Sequence, residues 1–241
     1  MSETYFKVLG QNGSCCHGGA GSWSTNGEWM PTVHGNLAPC TRGYHLCRAN
    51  DLVEWLGPVI WIADGRGKSF QTPQHLIFQE ARVVRPIPSW TPKVARQFAA
   101  ECAERVLPLL EAQSPHLTTP RLAIQAAREF SGGTVDFETM ADCAHAAWQA
   151  SRQLDGGLRD VAVAAYGAGI WEQDGMAAWA AAGSARTASA TQAREAALAF
   201  ARENNLHPRE AERKGETAGV DAWHAERNWQ TKRLFQLLGT F

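Results

Sequence analysis

The chain has 241 residues, 44% of them hydrophobic and 20% charged, which is the composition of a globular protein that buries one generous core or two small ones and leaves no reason to expect disorder. Lys and Arg number 23 against 24 Asp and Glu, and the balance holds in both parts, with seven basic and six acidic residues over 1–90 and 16 and 18 over the remainder. A duplex nucleic-acid or anionic-membrane footprint is therefore disfavoured, and the start MSETYFKVLGQNGS, together with the lack of any long apolar run, predicts a cytoplasmic protein with no membrane span.

Residues 5–9 are short, β-branched and aromatic, and read as a strand bounded by Gly10. A Gly-rich stretch follows that holds four of the six cysteines: Cys15, Cys16, His17, Gly18 and Gly19, then Cys40, Gly43, Tyr44, His45, Leu46 and Cys47. Thiolates and imidazoles this dense can bind zinc, with Cys16, Cys40, His45 and Cys47 as the candidate ligands. The spacing fits no finger or ribbon knuckle, so the same residues equally read as a half-buried strand whose Leu46 and Cys47 only pack. Adjacent Cys15 and Cys16 cannot easily point into one core. The loop 18–39 has too few apolar residues to order itself without closing on something, and metal is one such closure. Asn50 and Asp51 can cap a short helix to Leu56, ended by Gly57 and Pro58, and strands are expected over 59–63 and 76–84.

Pro86, Pro88 and Pro92 fall within seven residues and deny both helix and central strand. They mark a seam. Beyond it, Thr91-Pro92 is a helix start, and Val94, Phe98, Cys102, Val106 and Leu110 recur every four residues. Thr119-Pro120 repeats the signal, and Gly132-Gly133 closes that second helix. Further helices are expected over 135–151, 158–171, 185–204 and 217–238, with Ala-rich faces such as 176–182 that let helices approach closely. Cys102 and Cys143 read as small core residues, and Trp223 with Leu234, Leu237 and Leu238 as the packing face of the last helix. The fold class is therefore α+β: a small Gly-rich, sheet-containing N-terminal domain over 1–88, then an all-α, Ala- and Trp-rich array over 91–241.

Two further readings come from order along the chain. His17-Gly18, then Gly43-Tyr44-His45 ahead of a short helix and strand, then Glu80 on a late strand, resemble the sequence of elements in ADP-ribosyltransferase-type enzymes. The resemblance implies an NAD site in which His17 and Gly18 hold the ribose, Tyr44 stacks on nicotinamide and Glu80 stabilises an oxocarbenium-like transition state. A glutamate in a strand is also commonly a solvent-facing residue. Residues 1–90, with Cys-x-x-Gly-Tyr-His-x-Cys, look like a small domain of phage and bacterial proteins. Residues 91–238 carry Phe98-Ala99-x-x-Cys102-Ala103-Glu104-Arg105-Val106-Leu107-Pro108, then Arg121-x-Ala123-Ile124-x-Ala126-Ala127-Arg128, Ala144-His145-Ala146-Ala147 and Trp229-Gln230-x-x-Arg233-Leu234. They are similar to helical immunity proteins of bacterial toxin systems. That resemblance implies a phage- or mobile-element-type accessory protein that acts by binding a protein partner.

Overall fold

The computed structural model describes residues 3–19 and 21–239. Four strands, β1 (Tyr5–Leu9), β2 (Tyr44–Leu46), β3 (Val59–Gln71) and β4 (Leu76–Pro86), form an antiparallel sheet in the order β1-β3-β4-β2. The sheet is curled until its two edges meet. Phe6 and Cys47 exchange backbone hydrogen bonds of 2.8 and 2.9 Å, which join the edge strand β1 to the end of β2. Bulges between Ile62 and Ala63 and between Arg66 and Ser69 permit that curl. A 3-10 helix, Ala49–Glu54, follows β2.

Six α-helices follow: α1 (Pro92–Glu111), α2 (Thr119–Gly132), α3 (Phe137–Ser151), α4 (Gly156–Ile170), α5 (Asp174–Glu203) and α6 (Pro208–Leu238). Thr91 caps α1 by accepting the N–H of Val94, and Asp136 caps α3 by accepting that of Thr139. Ala177, Ala178, Ala181, Ala182, Ala185 and Ala188 are all buried along α5, which allows α1, α4 and α6 to lie close around it. Arg105 to Glu226 and Arg233 to Glu101, both 2.7 Å, fasten α6 to α1.

Alternation along the strands divides the apolar residues between two cores. Phe6, Val8 and Ile60 face the helices and join Leu52, Leu56, Ile87, Phe98 and Leu107 in one continuous core that runs from sheet to helical array. Leu9, Leu46, Ala63, Phe78 and Val83 face the other way and are covered by the long loop, whose Trp23 and Met30 pack there. The N–H groups of Met30 and Val33 donate to Ala81 and Gln79, so the loop 18–39 closes on the edge of β4. Its order is thus accounted for by strand pairing and two apolar anchors. Cys15 packs against the outer core and Cys16 against the inner one, opposite directions as adjacency requires.

Candidate functional site

Of the four candidate zinc ligands, Cys16 and Cys47 pack against the same inner core. Cys47 is buried with its thiol donating to the Phe6 carbonyl at 3.5 Å, and burial pushes its pKa up to about 12. Burial likewise raises that of Cys16, which lies beside the backbone of Gly57. Cys40 is exposed on a turn, at φ 59°, and its N–H donates to His45 Nε2 at 3.1 Å. The His45 ring lies 4.8 Å from that of His75, and burial, reinforced by His75, pushes the His45 pKa down to about 4. Among the described residues, no group of three or more His, Cys, Asp or Glu side chains is placed to hold a metal ion.

Tyr44 packs with Phe78 in the loop-covered core, whereas Glu80, next in sequence to the buried Ala81 of that core, alternates to the other face and pairs with Arg66, and His17 belongs to a third cluster. The Tyr44 hydroxyl donates to the Pro31 carbonyl at 2.7 Å and its ring meets Trp23 edge-on. Burial, and then the nearby Glu80 carboxylate, raises its pKa. Arg66 holds Glu80 at 2.5 Å and is the main reason its carboxyl stays below the usual range. Arg66 also lies 4.0 Å over the Trp29 ring. Gly18 is exposed at φ 85° with open space around it.

His17 instead closes the end of the 3-10 helix. Its Nε2 is 2.9 Å from the Trp55 carbonyl and 2.8 Å from that of Leu56. A carbonyl can only accept, so Nε2 carries the proton. Trp179 of α5 donates to the Glu54 carbonyl at 2.9 Å and Trp90 to that of Gly57, also at 2.9 Å. Four successive carbonyls, 54–57, are therefore satisfied by three ring N–H groups, one of them from α5 and one from the connection ahead of α1. At the same place α5 approaches without a side chain: a Cβ on Gly175 would lie 2.0 Å from the Gly57 oxygen. Arg227 of α6 completes the junction, 2.5 Å from Asp51 and 2.6 Å from Glu54.

Beside this junction a groove of about 1180 Å³ opens between sheet part and helices. One wall is the loop 10–16, the floor is 90–92 and Ala95, and the other wall is the connection from α4 to α5, residues 170–176. A single buried cation holds that connection in shape. Arg96, 0% exposed, donates to Asp174 Oδ1, the Ala168 carbonyl and the Trp171 carbonyl, each at 2.7 Å. Burial lowers its pKa and Asp174 opposes the effect. The guanidinium fork thus ends α4, pins the first residue of α5 and leaves Trp171 (41% exposed) and Glu172 facing outward from rigid backbone.

Residues 92–170 match a family model described as Imm-5 like putative immunity protein. Helices α1 to α4 are therefore similar to that family, over about a third of the chain. The matched segment begins at the first residue of α1, contains Arg96, and stops one residue before Trp171. No curated protein and no solved structure matches the chain. Neither Arg96 nor the Trp171-Glu172 pair stands out in the sequence as a site. The available signal was Arg96 itself, a charge on the stripe Arg96, Ala100, Ala103, Leu107 and Leu110, where helical spacing places only buried residues.

Proposed function

We propose that this protein is an immunity-type binder that protects a bacterial cell by occluding a toxin protein, and that the groove between sheet and helices belongs to the contact surface. The match over residues 92–170 carries the reading. The groove supports it because Pro92, Ala95 and Ile170 of the matched segment line it, and the wall that follows Ile170 is held by Arg96, a buried arginine of that segment. A binder needs a preorganised, exposed patch with an aromatic anchor, and the connection from α4 to α5 has that form. Transferase chemistry finds no comparable support, since His17 is engaged with two backbone carbonyls and Glu80 with Arg66. In addition, no helix among the described residues is long and apolar enough to cross a membrane.

The test is growth protection. Cells that produce the toxin candidates of the same genome should survive when this protein is co-produced, and each protected toxin should form a stoichiometric complex with it by light scattering. Absence of protection against all of them overturns the reading.

A further inference from the structure

We infer that the groove recognises an arginine-bearing segment of the protein partner, with a guanidinium seated over the Trp171 ring and paired to the Glu172 carboxylate. The inference rests on the binding role proposed above and adds the chemistry of what is bound. Among the described residues lining the groove there are two carboxylates, Glu172 and Asp174, and neither lysine nor arginine. Asp174 is already matched by Arg96, whereas Glu172 is exposed and its carboxylate has no ion pair or hydrogen bond among the described residues.

The fold gives no reason for either outward-facing group. Trp171 and Glu172 lie between two helices and pack no core, although tryptophan is among the side chains most strongly driven to burial. The same neighbourhood shows why an anion is not the occupant. The N-termini of α1 and α5 both open on the groove, but Thr91 caps the first, and Asp174 already supplies negative charge in the first turn of the second. The surplus charge on the wall is negative. A planar cation combines ion pairing with stacking on an indole, and a guanidinium suits that pair of partners better than an ammonium. Because Arg96 holds the Trp171 carbonyl, little conformational freedom remains to be lost on binding.

The experiment is fluorescence anisotropy of labelled hexa-arginine with the intact protein at physiological ionic strength, with hexa-citrulline as the uncharged isostere. Saturable binding of hexa-arginine alone is expected, weakened about tenfold or more by Trp171→Ala and by Glu172→Gln and unchanged by Glu138→Gln, an exposed carboxylate on α3. Both tested side chains are exposed, so thermal melts of the variants should superimpose on that of the wild type. Equal binding of the two peptides, or affinity for hexa-arginine unaltered by Trp171→Ala and Glu172→Gln, overturns the inference. Trp171-dependent hexa-arginine binding by a protein that confers no growth protection would leave the groove assignment standing and discard the immunity role.

Discussion

The sheet part and the helical array solve one problem, how to close the carbonyl end of a helix inside the protein, with donors of different kinds. At the end of the 3-10 helix the donors are neutral rings: His17, Trp90 and Trp179. At the end of α4 the donor is the buried cation Arg96, matched by Asp174. Ring donors are weaker singly but cost little to bury, whereas a guanidinium in the interior is tolerable only while every acceptor stays in place. The helical end should therefore be the more brittle of the two, and substitution can break or sharpen that contrast.

The largest effect is expected at Arg96. Arg96→Ala would leave the Asp174 carboxylate and two carbonyls without their donor, a loss of about 3–5 kcal/mol in urea denaturation. Arg96→Lys should recover only part of it, because an ammonium cannot serve three acceptors in fork geometry. If Arg96→Ala proved no worse than losing a ring donor, the contrast between the two ends would fail.

Gly175→Ala comes next. The added methyl would meet backbone atoms of Gly57 and Pro58, which cannot give way as a flexible side chain can, so a loss of about 1–3 kcal/mol is expected. Gly183→Ala in the same helix is the control. Its Cβ would have nothing closer than 3.9 Å, so the helix-propensity gain of about 0.5–1 kcal/mol should appear instead. Opposite signs from two Gly→Ala changes in one helix would establish that α5 is seated on the Gly57 backbone.

The elements were legible where a stop or start signal coincided with apolar periodicity. Thr91-Pro92 and Thr119-Pro120 locate the starts of α1 and α2 well, and the β-branched and aromatic run Tyr5–Leu9, bounded by Gly10, gives β1. Strand β3 runs on to Gln71, well past residue 63, because its second half is polar, exposed and held by pairing with β4, none of which leaves a hydrophobic pattern. Helices α5 and α6 likewise begin earlier than periodicity suggests. The first turns of α5 are Gly- and Ala-rich on every side, and those of α6 are almost wholly polar. For the site, sequence density drew attention to the cysteines and histidines, whereas the pair we propose as the recognition site, Trp171 and Glu172, sits on a turn held by a residue 75 positions away. Residue type in sequence cannot reveal that a histidine is a cap; only the two carbonyls facing His17 do so.

His17→Ala should cost about 1–2 kcal/mol, the net worth of donation to the Trp55 and Leu56 carbonyls, with His17→Gln recovering part because an amide N–H can reach the same acceptors. Hydrogen exchange should place the loss at the amides of 52–57 and the start of α5. A loss confined to the loop 10–19 would mean that the cap does not couple the two parts.

The smallest effect separates the two regions by pH. His45 accepts the Cys40 N–H through Nε2, so the folded protein needs that nitrogen unprotonated. An unfolded imidazole titrates near 6.5, whereas in the fold burial, with His75 and Lys7 adding positive charge nearby, pushes the His45 pKa down to about 4. As pH falls the unfolded chain takes up the proton first. The contribution of neutral His45 is then complete above about pH 6.5, declines between about 6.5 and about 4, and changes no further below that. His75 titrates in the same direction under burial, with Asp51 opposing and Lys7 adding to it. The Arg96 guanidinium, by contrast, does not titrate in this range. Acidification from about pH 7 to about pH 5 should therefore speed amide exchange in β2 and the 40–47 turn while leaving the start of α5 unchanged. His45→Gln, whose side-chain oxygen can still accept the Cys40 N–H, should remove most of that acid sensitivity and leave the part due to His75. An undiminished sensitivity in His45→Gln would assign the effect to His75 alone, and equal acceleration at the start of α5 would show that the acid sensitivity is not confined to the sheet part.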